Sequence, residues 1–358
     1  RGLRYNNQNQ EALAVLEELQ GLVRASNDQS VLFAVYTNQN QVLARLGLID
    51  EAIAVLWEAH TIACEGGRLD GQQSALRTIG TRYHLSGRSE EAIQPLQQAL
   101  ALDSEGYKPH VGLWLARALL RTGRTSEARE VCLEALRRAR LLGLKNTEIQ
   151  LLETLARFED GESCIELMRQ ARALASAQQL DLVVANISVK TGLRLLGFGR
   201  PDEAAEMFDA AEARLRVGGR SFASIPIENH LRFGHASLLE VREEWEALVT
   251  VVEALMPNAN PQIKEQISLM LAHALRKLGR ETGRAERLAR QALADAQHRG
   301  GLLSQVRGHI ELGWHALLRG DSPQVHLDAL TALMPGIVAS QEQHLARKVA
   351  SLRRAAEQ

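Results

Sequence analysis

The sequence predicts an all-α fold of paired antiparallel helices, and three observations carry that prediction. The first is composition: Ala, Leu, Arg, Glu and Gln dominate the 358 residues, only 4% are aromatic, and there are 8 prolines. These are helix formers, whereas a β-sandwich or barrel favours aromatic and β-branched residues. The second is a recurring phrase of a Gly, a few polar residues, an acidic residue and then Glu-Ala. It reads Gly47-Leu-Ile-Asp-Glu-Ala52, Gly87-Arg-Ser-Glu-Glu-Ala92, Gly123-Arg-Thr-Ser-Glu-Ala128 and Gly199-Arg-Pro-Asp-Glu-Ala204, with weaker copies at Gly279 and Gly320. The third is a register of tiny residues around each Gly. Seven positions before it lie Gly80, Ala116, Gly192, Ala272 and Gly313, with Asn40 as the larger exception. Twelve positions after it lie Ala59, Ala99, Ala135, Ala211 and Ala332; the Gly279 copy rejoins at Ala285 and Ala292 after one inserted residue.

Each copy reads as helix, turn, helix. Apolar residues at helical spacing precede the Gly, as in Leu113, Leu115, Ala116, Leu119 and Leu120. The Gly ends that helix in a left-handed turn. Acidic residues two to four positions on suit the positive end of the next helix, and Pro201 fits such a first turn. The tiny residues sit where two helices cross closely, because a large side chain there would push the axes apart. Degenerate copies at Gln10-Glu11-Ala12, Gly161–Cys164 and Glu243–Ala247 complete the series, so the repeat steps run from 36 to 43 residues.

Taken in order, second helices are predicted near 11–25, 50–65, 89–103, 125–142, 161–177, 201–217, 243–256, 284–299 and 322–334, with first helices between them. A last helix near 339–356, polar on one side, suits a terminal cap. The stretches Val217–Ser221 and Met256–Pro261 read as loops between repeats, so residues 1–358 are expected to form one domain. The first pair lacks most of its first helix, and the chain opens on Arg1 rather than Met, which reads as a piece of a longer protein.

Several classes of function drop out. The 42 Lys and Arg residues nearly cancel 43 Asp and Glu, and a net charge of −1 argues against a generic nucleic-acid or membrane-surface binder. No run of 18 apolar residues suggests a membrane span, and the N-terminus is not a signal peptide. Cys64, Cys132 and Cys164 are too scattered for a disulfide framework and read as buried or half-buried thiols, which fits a reducing cytoplasm. Only six of the 42 basic residues are Lys, a bias that points to a GC-rich bacterial genome. Phosphate-loop, dinucleotide-binding, nucleophile-elbow and HExxH motifs are all missing. The pairs His230/His235 and His309/His315 are badly spaced for metal on one helix face, and Glu90-Glu91 and Glu243-Glu244 read as helix-end charges. The sequence therefore offers no catalytic residue, no metal site and no cofactor site, and the chain is not expected to be an enzyme.

This register resembles the tetratricopeptide repeat, whose small residue, turn Gly and two Ala positions are matched by Gly80, Gly87, Ala92 and Ala99, and again by Ala116, Gly123, Ala128 and Ala135. The steps exceed that family's period of about 34 residues, and its closing Pro is absent from the second helices. Longer helices are implied, similar to the lengthened repeats in sensor regions of MalT-like bacterial regulators and peptide-sensing cytoplasmic receptors. The resemblance implies a right-handed superhelix, an α-solenoid of about nine helix pairs with a C-terminal capping helix, whose first helices line a concave groove.

Groove-facing positions would then fall 13, 10, 6 and 3 residues before each turn Gly. They include Gln41; Arg77, Thr81 and His84; His110 and Arg117; Asn186; His273 and Arg276; and Arg307 and Trp314. Asn38, Arg45, Arg121, Lys190 and Lys277 are neighbours that reach the same side. No carboxylate falls in this set, which favours an anionic signal or an acidic segment, because Arg pairs bidentately with carboxylate and phosphate. Trp57 and Trp245 are expected to pack between repeats, while Trp314, and Trp114 beside the groove, are candidate aromatic anchors. The expected function is a non-enzymatic binding module for a peptide, a partner protein or an anionic signal, as the sensing part of a bacterial regulator. The alternative is a scaffold or self-assembling adaptor that uses its outer surface. A pentatricopeptide-like RNA binder fits poorly with the variable step and the charge balance, so no nucleic-acid or membrane partner is expected.

Overall fold

The turn glycines divide the chain where the register puts them. The computed structural model describes residues 2–26, 28–102, 108–219, 221, 223–259, 261–339 and 343–357. Among the described residues there are eighteen α-helices, one short 3-10 turn at Met256–Asn258, and no strand. The chain opens with α1 (Gly2–Ser26). First helices are α2 (Gln29–Leu46), α4 (Leu69–Leu85), α6 (Pro109–Arg121), α8 (Lys145–Leu155), α10 (Asp181–Gly197), α12 (Ile225–Val241), α14 (Pro261–Lys277) and α16 (Leu302–Leu318). Second helices are α3 (Ile49–Glu65), α5 (Ser89–Ala101), α7 (Thr125–Leu141), α9 (Gly161–Ala177), α11 (Pro201–Gly218), α13 (Trp245–Leu255), α15 (Thr282–Arg299) and α17 (Gln324–Ala339). The last helix is α18 (Gln343–Ala356).

These bounds agree with the sequence register, with differences at a few ends. Helix α1 begins nine residues earlier than expected, at Gly2 rather than 11, and α17 continues past 334 to Ala339. The expected ends at 103, at Arg220 in the 217–221 loop and at 340–342 before the last helix lie outside the described residues. No described helix is long and apolar enough to cross a membrane.

The chain divides into two compact units, Arg1–Leu174 and Ala175–Gln358. In the first unit, α1 to α8 pack in series, and the first helices α4, α6 and α8 also pack on one another. In the second unit, α10 to α18 pack in series, and α10, α12, α14, α16 and then α18 form a continuous row. Helix α18 thus occupies the place of another first helix, with Leu345, Val349 and Leu352 buried in the core that Val306, Ile310 and Leu330 share.

Turn chemistry explains the pairing. Gly87 has φ 89°; its amide donates to the His84 carbonyl at 3.1 Å and the Arg88 amide donates to the Tyr83 carbonyl at 2.9 Å. Between α12 and α13 the same two bonds recur, from the Glu243 amide to Glu240 at 3.2 Å and from the Glu244 amide to Leu239 at 3.0 Å. Glu243 therefore stands where the other copies have Gly, with φ 59°, a conformation that costs a side-chain-bearing residue about 1–2 kcal/mol.

The tiny residues are where the helices touch. Ala52, Ala59, Ala92, Ala99, Ala128, Ala135, Ala204 and Ala211 are fully buried. Ala332 departs from this register: it is exposed, because α17 packs against α18 and buries Leu327 and Leu330 instead. The tightest crossing centres on Phe208 of α11. A Cβ added at Gly192 would lie 2.5 Å from its ring, and one added at Gly234 would lie 2.6 Å away. Cys132 and Cys164 are buried, and burial pushes the Cys132 thiol up to about 12, so it is an inert packing group. Cys64 corrects the expectation of buried thiols: it is exposed in the last turn of α3, with His60 one turn before it.

Gly192→Ala should destabilise the second unit by about 1–3 kcal/mol in denaturant unfolding, because the Phe208 ring is blocked by Gly234 on its other side and has nowhere to move. Adding Phe208→Leu to that variant should recover part of the loss.

Candidate functional site

In the second unit, stacked first helices turn one face each towards a shared cavity of about 720 Å³. Helix α14 contributes His273, Arg276 and Lys277, and α16 contributes Leu303, Arg307, Ile310, Glu311 and Trp314. Those intervals of three and four residues place side chains on one helix face. Helix α12 adds Phe233, Ser237 and Glu240; α10 adds Leu193 and Leu196; α18 adds Leu345, Arg347 and Lys348. Trp245, from the first turn of α13, closes one wall. Trp245 was expected to pack between repeats; it does pack against that core, but it also lines the cavity.

A charge network runs along this face. Arg276 Nε donates to Glu311 Oε2 at 2.7 Å, and a second guanidinium nitrogen donates to Oε1 at 3.2 Å. The two side chains are only 10% and 6% exposed, so this is a buried bidentate pair. His273 Nδ1 lies 3.0 Å from Glu240 Oε1, and Lys348 Nζ donates to the same oxygen at 3.3 Å. Burial alone would push the Glu240 carboxyl up. The His273 hydrogen bond and the charges of Lys348, Arg307 and His273 outweigh it and hold the group well below the usual carboxylate range. The cations also meet the aromatic walls: Arg276 lies 5.4 Å from the Trp314 ring centre, Lys277 lies 5.7 Å from that of Trp245, and the His273 and Trp245 rings are 5.0 Å apart.

Two carboxylates therefore occupy a face on which the sequence register placed none. Glu240 lies three residues before Glu243, in the position that Arg276 holds before Gly279. The same counting gives Ser237 at six and Phe233 at ten, and both line the cavity. Recognising Glu243 as the turn residue would have found all three. Glu311 lies nine residues before Gly320, between the counted positions, and carries no signal of its own. His273, Arg276, Arg307 and Trp314 come together as the register predicts. Asn186 and Lys190 lie earlier on α10, half-buried and exposed, and do not line the cavity.

The first unit presents a different chemistry. A hollow of about 500 Å³ between α2 and α4 is lined by Thr37, Asn40, Gln41, Arg45, Ser74, Arg77, Thr78 and Arg82, with Ala44 and Leu56 as apolar floor. It brings together Gln41, Arg45 and Arg77. Asn38 is outside it, exposed, and donates to the Ala34 carbonyl at 2.8 Å. Thr81 turns its hydroxyl back to the Arg77 carbonyl at 2.8 Å. Farther along, Arg117 stacks 5.0 Å from the Trp114 ring centre and donates to Thr154 Oγ1 at 3.2 Å; Arg121 is exposed beyond it. His110 shares a 2.8 Å hydrogen bond with Thr147, and His84 shares one of 3.1 Å with Ser89 while its ring meets Trp114 edge-on. Trp57 on α3 is 37% exposed, with its ring edge-on to His60. Among the described residues, no group of three or more His, Cys, Asp or Glu is placed to hold a metal ion.

Two outcomes follow from these geometries. Glu311→Ala should destabilise the chain by about 3–5 kcal/mol in denaturant unfolding, because it leaves the Arg276 guanidinium buried without its carboxylate. His84 should titrate by NMR with a midpoint about 4, since burial and then the charges of Arg121, Arg117 and Arg157 push it down to that value. Its unfolded value is about 6.5, so between about 6.5 and 4 only the unfolded chain takes the proton. The His84 contribution to stability is thus complete at neutral pH and declines as pH falls through that window. His84→Gln should flatten that part of the stability profile.

Comparison with known proteins agrees with this architecture. A tetratricopeptide repeat profile matches residues 83–141, from the end of α4 through α7. No curated protein sequence matches the chain. Among solved structures, the apo form of the quorum sensor NprR from B. thuringiensis is similar over 92% of this chain and 97% of its own, at 14% identity and a TM-score of 0.63. A signal-transduction ATPase with a tetratricopeptide repeat sensor, from Pyrococcus horikoshii, is similar over 94% of this chain and 55% of its own, at 14% identity and a TM-score of 0.52. Paired helices, turn residues in a left-handed conformation and tiny residues at each crossing make this chain a tetratricopeptide-like helical repeat protein.

Proposed function

We propose that the chain is a non-enzymatic recognition module that binds a peptide segment of a partner or signal along the first helices of its second unit. The observation that carries this reading is the cavity walled by Trp245, Trp314 and Phe233. Aromatic walls beside apolar Leu193, Leu303 and Leu345 suit a large apolar or aromatic side chain, and buried aromatic anchors of this kind dominate peptide and protein interfaces. His273, Arg276 and Lys348 already have Glu240 or Glu311 as partners, so they orient the walls and supply polar rim contacts. The open surface of the cavity is mostly apolar, which favours an occupant that brings apolar area and backbone hydrogen bonds.

The fold likeness to a quorum sensor and to the sensor of a signalling ATPase supports a sensing role, and a place in a bacterial, cytoplasmic regulator is part of the same proposal. An acidic or anionic preference belongs to the first unit on this reading, where Arg45 and Arg77 line a hollow with no carboxylate among its lining residues. A nucleic-acid or membrane partner is disfavoured by the near-neutral net charge.

Selection of a random peptide library on the immobilised chain tests the proposal. Enriched peptides should share a large apolar or aromatic residue, and their binding should alter tryptophan fluorescence. Trp314→Ala should weaken the selected peptides by about tenfold or more at unchanged helical circular dichroism, with partial recovery in Trp314→Phe. Binding that is indifferent to both substitutions would overturn the assignment of this cavity.

A further inference from the structure

We infer that the hollow between α2 and α4 in the first unit is an oxyanion pocket that takes the phosphoryl group of a phosphorylated ligand. It is separate from the second-unit cavity and does not depend on what binds there. Three guanidinium groups, Arg45, Arg77 and Arg82, line one hollow of about 500 Å³, and no carboxylate is among its lining residues. The other polar groups there are hydroxyls and amides: Thr37, Ser74, Thr78, Asn40 and Gln41. Among the described residues, no ion pair reaches any of the three arginines.

Elsewhere in the chain Arg88, Arg124, Arg200, Arg284 and Arg319 each bind at least one carboxylate. Arg77 and Arg82 are the more costly cases, because burial alone pulls both guanidinium groups below their ordinary range and no neighbouring anion offsets it. A partly desolvated cation without a counter-charge is unfavourable in the empty pocket and gains when an anion enters.

The pocket also accounts for the one large departure from the tiny-residue register. Asn40 stands where the other copies have Gly or Ala, and it is buried. Its amide oxygen accepts a 2.9 Å hydrogen bond from Arg82 Nε, across 42 residues of sequence, which fixes that guanidinium at the edge of the hollow. A neutral acceptor holds the cation in place without neutralising it. Packing alone would favour Ala at this position. A site that aims a charged fork at a ligand favours Asn.

Phosphoryl is preferred over carboxylate because of the number of donors. One bidentate arginine satisfies a carboxylate, whereas a dianionic phosphoryl group has three terminal oxygens and matches several forks at once. The source of the group, a phosphorylated side chain or a nucleotide, is separated by the probes below.

The test is calorimetric titration of the full chain with inorganic phosphate, O-phosphoserine, AMP and glutarate at matched ionic strength. Phosphate should bind, O-phosphoserine or AMP should bind more tightly and so indicate the source, and glutarate should bind at least about tenfold more weakly. Arg77→Gln with Arg82→Gln should abolish the heat of binding. The single variant Arg77→Gln should leave the thermal midpoint of the free chain unchanged or higher, because it removes an unmatched buried cation. Heats equal to those with chloride, binding that survives the double variant, glutarate binding as tightly as phosphate, or marked destabilisation by Arg77→Gln would each overturn the inference.

Discussion

How closely two helices may approach at the tiny residues governs the rest of this molecule. Phe208 enters the second unit only because Gly192 and Gly234 leave room for its ring on both sides, and Leu96 sits against Gly80 in the same manner in the first. Phe208 and Leu96 each follow their turn Gly by nine positions, and Gly192 and Gly80 each precede it by seven. The turn and the crossing are therefore set together. Fixing the left-handed turn residue fixes which side chains meet, and their volumes then fix the distance between axes. With the pair geometry settled, first helices have to stack on first helices, and a row of outward positions on each becomes a surface for recognition.

The two units use the same geometry and differ in electrostatics. In the second, Glu240 of α12 and Glu311 of α16 pair with His273 and Arg276 of α14 and with Lys348 of α18, beside open aromatic walls. In the first, arginines on α2 and α4 line a hollow whose other polar groups are neutral, and Arg82 donates to the Asn40 amide oxygen. A net charge near zero for the whole chain hides this contrast, because the compensating acids of the first unit lie largely on its second helices, in pairs such as Arg88–Glu91 and Arg124–Glu127.

Much of the architecture was legible in the sequence, because the turn and crossing constraints act on residue types that few positions tolerate. Gly, Ala and an acidic first turn are strong local statements, and they located most of the second helices to within a few residues, α1 being the exception at its start. The face of each first helix was legible wherever a Gly marked the turn, which is why His273, Arg276, Arg307 and Trp314 were found. Where Glu243 took the place of Gly, the register lost its anchor, and Phe233, Ser237 and Glu240 went unseen. Glu311 was hidden for another reason: its role depends on Arg276 of a neighbouring helix, a tertiary relation that no spacing within α16 encodes. Ala332 misled because the last pair has α18 against it in place of a further repeat, so its buried stripe shifts to Leu327 and Leu330.

The bond between Lys348 and Glu240 has a kinetic consequence. It joins residues 108 positions apart, whereas the Arg82–Asn40 and Arg242–Asp202 contacts span 42 and 40. Closing a loop that much longer costs about 1 kcal/mol more in chain entropy than closing one between adjacent repeats. Stacking of neighbouring helices requires only local search, so α12, α14 and α16 can assemble before α18 arrives. The lysine then finds its carboxylate already positioned by His273, and the terminal helix completes the row.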